Sequence, residues 1–235
     1  MDNEILAIAM FFYVAFLFST VCHEAAHAIV AKWGGDETAY LNGQITLDPI
    51  PHLRQEPFGL GLLPIISLML NIAGQSFGVI GFASAPFDPV WARHNPRKAA
   101  WMAMAGPAAN LILYGLATAI LKIGLANGVF EFSQDLHLWQ VARGADSIAD
   151  AVAMFLNVLA FENLLLACWN LLPIPPMDGF SMLLFFIPDR WVDGFFEIRQ
   201  QVGMFFPVMI FAIGGVFYEY FGPFAYQLLA FVYFS

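Results

Sequence analysis

The residues with the clearest chemical potential form a short cluster, HEAAH, at residues 23–27. On an α-helix His23 and His27 project from the same face, and Glu24 lies about 100° around the helix from His23. Two neutral imidazoles at this spacing can bind zinc, which leaves room for a third protein ligand and a water molecule. Glu24 would then be the general base toward that water. The alternative interpretation is structural, with the three side chains satisfying one another or nearby carbonyl groups in a helix bundle.

A carboxylate that can complete such a site occurs far along the chain, in NLLPIPPMDGF at residues 170–180. Three prolines break the preceding apolar helix, and Asp178 follows them, directly before Gly179. Asp178 is the best candidate for a carboxylate that could complete the zinc site. The alternative is an ordinary helix exit, in which proline, aspartate and glycine form a turn.

The composition places both motifs in a membrane protein. The 235 residues are 60% hydrophobic and 11% charged, and the mean hydropathy is +0.70. We therefore expect an all-α polytopic membrane protein, a transmembrane helix bundle in the lipid bilayer that forms a single domain over residues 1–235. The chain has 18 acidic and 9 basic residues and no basic patch with interleaved aromatic residues, so nucleic acid is not an expected partner.

Five apolar runs are long enough to cross a hydrocarbon core of about 30 Å as helices. Glycine, proline and polar residues interrupt the second run, which favours a re-entrant hairpin that turns near residues 71–74. Between the first two runs, the alternating residues Tyr40 to Leu47 predict a small β-hairpin at the membrane surface, with an edge that can pair with an extended substrate. Residues 131–150 are interpreted as an amphipathic or loop-like surface segment. The five runs are residues 4–31, 58–85, 99–125, 151–173 and 203–234.

A shared metal constrains the topology. If His23, His27 and Asp178 bind one ion, the first and fourth runs must end on the same side of the membrane. Three runs lie between those ends, so one of them must return, and the interrupted run at 58–85 is the best candidate. With this topology, most basic residues lie on one side of the membrane, here called the crowded side. Because basic residues favour the cytoplasmic side, we expect the site to open toward the cytoplasm of a bacterial cell. The crowded side holds Lys32, Arg54, Arg93, Arg97, Lys98, Arg190 and Arg199, and the other side holds Lys122 and Arg143.

HEAAH followed by NLLPIPPMDG resembles the site-2 protease family of intramembrane zinc metalloproteases. The resemblance extends to NGQITLDPIPHLRQEPFG, APFDP and HNPRKAAWMAMAGPAANL, and it covers the chain from residue 1 to about residue 190. The chain looks most like the short bacterial members that lack added PDZ or CBS domains. It departs from the family at Phe180, where a second glycine usually follows the Asp-Gly pair.

The resemblance implies a fold, an activity and a set of residue roles. One zinc per chain is bound by His23, His27 and Asp178, Glu24 activates water, and Asn170 holds the substrate peptide and stabilises the developing oxyanion. The alternative for Asn170 is a hydrogen bond between helices. The implied activity is hydrolysis of peptide bonds within or beside transmembrane segments of membrane proteins.

Three other polar residues lie at membrane depth. Asn110 and Asn163 are interpreted as groups that support packing or the metal ligands, with packing favoured. Glu162 is an ionisable candidate without an identified partner.

Two other functions are compatible with parts of the sequence. A catalytically silent homologue would bind membrane proteins, and its signature would be loss of Glu24 or of a ligand, neither of which is lost. A metal or proton transporter would use the same histidine and carboxylate groups, and it predicts ion flux that survives Glu24→Gln.

Overall fold

Long helices account for most of the chain in the computed structural model, which describes residues 3–72, 79–203 and 205–234. A small sheet and several short helices connect them. The chain also contains a π-helical turn at Pro57–Leu62 and 3-10 turns at Leu183–Phe185 and Asp189–Trp191. In chain order the elements are α1 (Asn3–Gly34), α2 (Thr38–Leu41), α3 (Pro49–Gln55), α4 (Leu63–Ile72), α5 (Pro89–His94), α6 (Pro96–Ala126), β1 (Phe130–His137), β2 (Gln140–Gly144), α7 (Ser147–Asn170), α8 (Asp178–Met182), α9 (Val192–Gly203) and α10 (Phe206–Phe234).

Three helices form the centre of the bundle. Within the described ranges, α1, α6 and α7 are the helices long and apolar enough to cross a membrane. Their shared core is rich in alanine, as at Ala15, Ala117 and Ala153, and small residues let helix backbones approach closely. Helix α10 packs against α7 through Phe221 and Ala225, which contact Leu164. The prediction of a helical membrane protein with a small hairpin is confirmed.

The hairpin, however, is not at Tyr40 to Leu47, and that prediction is wrong. Asp36 accepts hydrogen bonds from the Thr38 amide and hydroxyl at 2.9 and 2.6 Å, which starts a helical turn instead of a strand. Gly43 then ends α2 with a positive φ of 72°. The Gln44 amide donates to the Ala39 carbonyl, as in a Schellman cap. Local capping therefore overrides the alternating pattern, and the substrate-binding edge expected there is absent.

The hairpin lies at residues 130–144, largely in the segment 131–150 that was expected to be amphipathic or loop-like. Strands β1 and β2 are antiparallel, with Phe130 opposite Gly144 and Phe132 opposite Ala142. Asn157 of α7 holds β2: its Oδ1 accepts from Val141 and Ala142 at 3.0 and 3.2 Å, and its Nδ2 donates to the Ala142 carbonyl at 2.7 Å. These bonds join positions 15 or 16 residues apart, which local patterning does not reveal.

The interrupted run at 58–85 returns to the end from which it starts. Its first part is helical, through the π-helical turn and α4, and residues 79–88 come back without regular secondary structure. The Phe82 amide donates to the Gly59 carbonyl at 3.1 Å, and the Ser84 hydroxyl donates to Glu56 Oε1 at 2.6 Å. The predicted turn near residues 71–74 runs into residues 73–78, which lie outside the described part of the chain. The contacts support the predicted return, although only one arm is helical.

Contacts between helix ends confirm the alternating direction of α1, α6 and α7. At the start of α6, Lys98 Nζ donates to the Gly34 carbonyl that ends α1, at 3.0 Å. Trp91 of α5 donates to the same carbonyl at 3.2 Å. After α7, the chain brings Asp178 to His23 of α1. The first and fourth apolar runs therefore end on the same side.

Candidate metal centre

Two histidines and one aspartate meet at the centre of the bundle. His23 Nε2 and His27 Nε2 lie 3.0 and 3.2 Å from Asp178 Oδ2, and the two Nε2 atoms are 2.9 Å apart. Among the described residues, these three form the group of His, Cys, Asp and Glu side chains that can hold a metal ion. Both histidines are buried, with 5% of each exposed. The structure thus joins the two motifs, which are 155 positions apart.

A tight turn after α7 delivers Asp178. The chain leaves α7 at Asn170, passes through the proline-rich turns, and starts α8 with Asp178 as its first residue. Gly179 lies so close to the end of α7 that a Cβ there would be 2.2 Å from the Leu171 carbonyl oxygen. Phe180, at the position where the family usually has glycine, stacks on Phe195 of α9 at 4.4 Å. The departure therefore docks α8 on α9 and leaves the carboxylate in place.

Acceptors from α6 orient both imidazoles. His23 Nδ1 donates to Asn110 Oδ1 at 2.5 Å, and His27 Nδ1 donates to the Met102 carbonyl at 2.7 Å. Because each Nδ1 donates its proton in these bonds, each Nε2 is the nitrogen that can offer a lone pair to a metal ion.

The acceptor for His23 is itself fixed by a buried chain of hydrogen bonds. Asn110 Nδ2 donates to Asn163 Oδ1 at 2.8 Å, which directs the Asn110 oxygen to the imidazole. Asn163 Nδ2 in turn donates to Ser19 Oγ at 2.8 Å. This chain runs from α1 through α6 to α7 and back to α1. Asn110 and Asn163 therefore support a metal-binding group as well as helix packing.

Gly106 of α6 leaves the space in front of the donors open. A Cβ at this position would lie 2.4 Å from both His23 Nε2 and His27 Nε2. Any other side chain would enter the volume that the three donor atoms surround. The sequence analysis did not identify this residue, and the signal that could have found it is a glycine beside Pro107, inside a membrane helix and between the motif residues.

The donor set fits zinc. Four ligands at about 2.0–2.1 Å in a tetrahedron are separated from one another by about 3.3 Å. The observed separations of 2.9, 3.0 and 3.2 Å approach this value, and the donors are two imidazole nitrogens and a carboxylate oxygen. Burial alone would raise the pKa of Asp178, but the adjacent His27 and His23 imidazoles hold that pKa well below its usual range. The carboxyl group is therefore kept in the form that binds a metal.

The donors open into a cavity of about 320 Å³. Glu24 also lines it, and although only 4% of this residue is exposed, its Oε2 has no hydrogen-bond partner among the described residues. Asn170 lines the same cavity and donates one N–H to the Leu166 carbonyl at 3.0 Å. The structure brings both residues to the donors, and their roles stay predictions. Glu162 is buried in α7 and is absent from the residues that line the cavity.

Fold and site together define a helical membrane metalloprotease, and comparisons with known proteins agree. The chain matches the model of peptidase family M50 over residues 11–213. Bacillus subtilis YwhC is 31% identical over 186 residues, which are 78% of this chain and 72% of YwhC. Rip2 of Mycolicibacterium smegmatis is 30% identical over 167 residues, and Rip2 of Mycobacterium tuberculosis is 29% identical over 168.

The names of these relatives describe each of them as a candidate zinc metalloprotease. The chain spans about half the length of either Rip2 protein, 53% in both cases. No solved structure matches it. The chain belongs to peptidase family M50, the site-2 protease family. The resemblance stated from its motifs is thereby confirmed.

Proposed function

We propose that the protein is an intramembrane zinc endopeptidase, which binds one zinc ion per chain and cuts other membrane proteins within or beside their transmembrane segments. The position of the donors along α1 carries this proposal. His27 and His23 precede Gly34 by 7 and 11 residues, which places them about 10 and 16 Å from that helix end. In a membrane-spanning helix, that distance is within the hydrocarbon region.

His23, His27 and Asp178 would hold the zinc ion, which, when bound, acidifies a water molecule and polarises a peptide carbonyl. The remaining chemistry belongs to side chains of this protein. Glu24 accepts a proton from the attacking water and returns it to the leaving amine. Glu24 lines the cavity, and its Oε2 has no hydrogen-bond partner in the described part of the chain, which supports this role. The side-chain amide of Asn170 has two N–H groups, and one of them donates to the Leu166 carbonyl. The second N–H can donate to the peptide oxygen as negative charge develops on it.

The cavity provides space for both water and an extended peptide. Its walls include residues from α1, α6, α7 and α9 and from the returning segment, residues 81–85. A transmembrane substrate must unwind to place a carbonyl there, so we expect helix-breaking residues near the cut. The clustering of basic residues at the α1–α6 end supports a site that opens toward the cytoplasm.

Zinc content and cleavage, measured side by side, test this function. Glu24→Gln should retain about one zinc per chain and lose cleavage of single-pass membrane proteins by at least about a hundredfold, because only proton transfer is removed. Asp178→Ala should lose both zinc and cleavage. Glu37→Gln, which removes an exposed acid beyond the end of α1, is the control.

The outcomes separate the proposed function from its rivals. A parent protein that binds zinc and cuts nothing would be the silent homologue. Ion flux into vesicles that persists in Glu24→Gln, without cleavage by the parent, would indicate a transporter. Cleavage that persists in Glu24→Gln would contradict the general-base role.

A further inference from the structure

The cavity contains a positive charge that the catalytic roles above leave unused. Arg199 of α9 lines the cavity together with the three metal-binding side chains. Its guanidinium lies 5.4 Å above the ring of Phe87. The buried Nε of Arg199 has no hydrogen-bond partner, and the residue forms no ion pair within the described ranges. A guanidinium stays charged in proteins, and Asp178 acts on it electrostatically only from beyond ion-pair distance. The cation therefore keeps unused hydrogen-bonding capacity in a partly apolar site.

Other basic side chains at the same end of the molecule do have partners. Arg93 pairs with Asp193 at 3.4 Å, Arg97 donates to the Ile187 carbonyl at 3.0 Å, and Lys98 donates to the Gly34 carbonyl at 3.0 Å. Lys32 lies 3.1 Å from the centre of the Tyr40 ring. Arg199 differs from these four residues because it lines the cavity and has no contact ion pair among the described residues.

The acids of the cavity have other partners or roles. Asp178 contacts both histidines, and Glu24 is reserved for proton transfer in the proposed function. Glu56, near the start of the returning segment, accepts from Ser84 and lies beyond ion-pair distance of Arg199. Among the described residues, none of these acids therefore forms a contact ion pair with Arg199.

We propose that Arg199 forms an anion subsite that binds a carboxylate of the substrate, an aspartate or glutamate side chain close to the scissile bond. The proposal rests on the proposed function, because it assigns a role to the same cavity. The planar fork of a guanidinium matches a carboxylate through two parallel hydrogen bonds.

Binding to the Glu24→Gln protein tests the subsite without requiring cleavage. The probes are blocked apolar hexapeptides that carry one aspartate at each position in turn, each with an asparagine twin of the same shape. We expect one position at which the aspartate peptide binds about tenfold more tightly than its twin. Added Arg199→Gln should abolish this ratio, and Arg199→Lys should keep part of it, because it retains charge but loses the fork.

The control is Arg190→Gln, which removes an exposed arginine from the same end of the molecule and should leave the ratio unchanged. A parent without preference for aspartate at any position would overturn the subsite, as would a preference that survives Arg199→Gln. Failure of the proposed function has a different signature: the wild-type protein would cut no membrane protein, whatever the binding ratio.

Discussion

Each imidazole of the candidate metal centre has an acceptor that lies far away in the sequence. Asn110 and the Met102 carbonyl are 87 and 75 positions from the histidines that they orient. A histidine without such an acceptor can rotate or present the wrong nitrogen, which weakens metal binding by about 10- to 100-fold. The outer hydrogen bonds are therefore as much a part of the site as the donor atoms.

Asn110 provides the first test at this scale. Asn110→Ala removes the acceptor for His23 Nδ1, and zinc affinity should fall about 10- to 100-fold in a competition titration with a chelator. Asn110→Asp keeps an acceptor oxygen in the same place and should retain most of the affinity. Equal losses in both variants would indicate that Asn110 acts through helix packing alone.

Gly106 provides a steric test. A Cβ at this position would lie 2.4 Å from both Nε2 atoms, so Gly106→Ala should strongly reduce the zinc that copurifies with the protein and abolish cleavage. Gly115→Ala in the same helix is the matched control, because nothing lies within 4 Å of its Cβ. Full zinc content in Gly106→Ala would show that the ion sits elsewhere.

At the residue scale, the sequence predicted the three donors, and it indicated Asn110 and Asn163 as groups that support packing or the metal ligands. HEAAH has a periodicity that can be recognised on one helix, and the proline-rich turn marks Asp178. Gly106 and Met102 have no comparable local signal, because their contacts arise only when α6 packs on α1.

The turn between α7 and α8 determines where Asp178 lies relative to the two histidines of α1. Gly179 is packed against the Leu171 and Leu172 carbonyl oxygens, 2.2 and 2.6 Å from where a Cβ would be. The stacked pair Phe180 and Phe195 holds the other side of α8 against α9. The carboxylate is thus located by packing from two directions.

Gly179→Ala tests the turn. The added methyl group must displace backbone, so we expect a loss of about 1–3 kcal/mol in the free energy of unfolding and reduced zinc retention. Gly194→Ala in α9, where a Cβ meets nothing within 4 Å, should change neither quantity. Thermal unfolding in detergent, with and without added zinc, measures both effects, and an unaffected Gly179→Ala protein would contradict the tight turn.

Elements with long apolar runs could be predicted from the sequence, and short elements could not. The first, third and fourth runs correspond to α1, α6 and α7, with ends that differ by a few residues. The hairpin was expected at Tyr40 to Leu47, where Asp36 and Gly43 instead cap a helical turn. The observed hairpin depends on Asn157, which is available only after α7 has docked.

For the whole molecule, the direction of each helix follows from contacts between their ends. The returning segment makes the number of crossings between His27 and Asp178 even, which a shared site requires. This conclusion came from the sequence alone, because it depends on counting crossings and not on side-chain geometry. The prediction that the site faces the cytoplasm rests on a separate observation, the unequal distribution of basic residues between the two sides.

Cysteine labelling tests both conclusions. In a protein without Cys22 and Cys168, cysteines at positions 54 and 94 should react with an impermeant maleimide only after the cell membrane is opened. A cysteine at position 127 should react in intact cells, because it follows the opposite end of α6. Opposite results for 54 and 94 would contradict the returning segment, and a complete reversal would contradict the cytoplasmic orientation alone.

The hydrogen-bond chain from Ser19 through Asn163 and Asn110 to His23 has a consequence for biogenesis. Helix α1 on its own carries His23 and His27, but the acceptors that orient their imidazoles belong to α6. The third donor, Asp178, follows α7 and reaches the histidines only when α7 is packed in the bundle. High metal affinity is consequently a property of the assembled bundle, and metal binding stabilises assembly in return. If the proposed function holds, we expect a newly inserted, incompletely assembled chain to cut none of its neighbours, because its donors are not yet oriented.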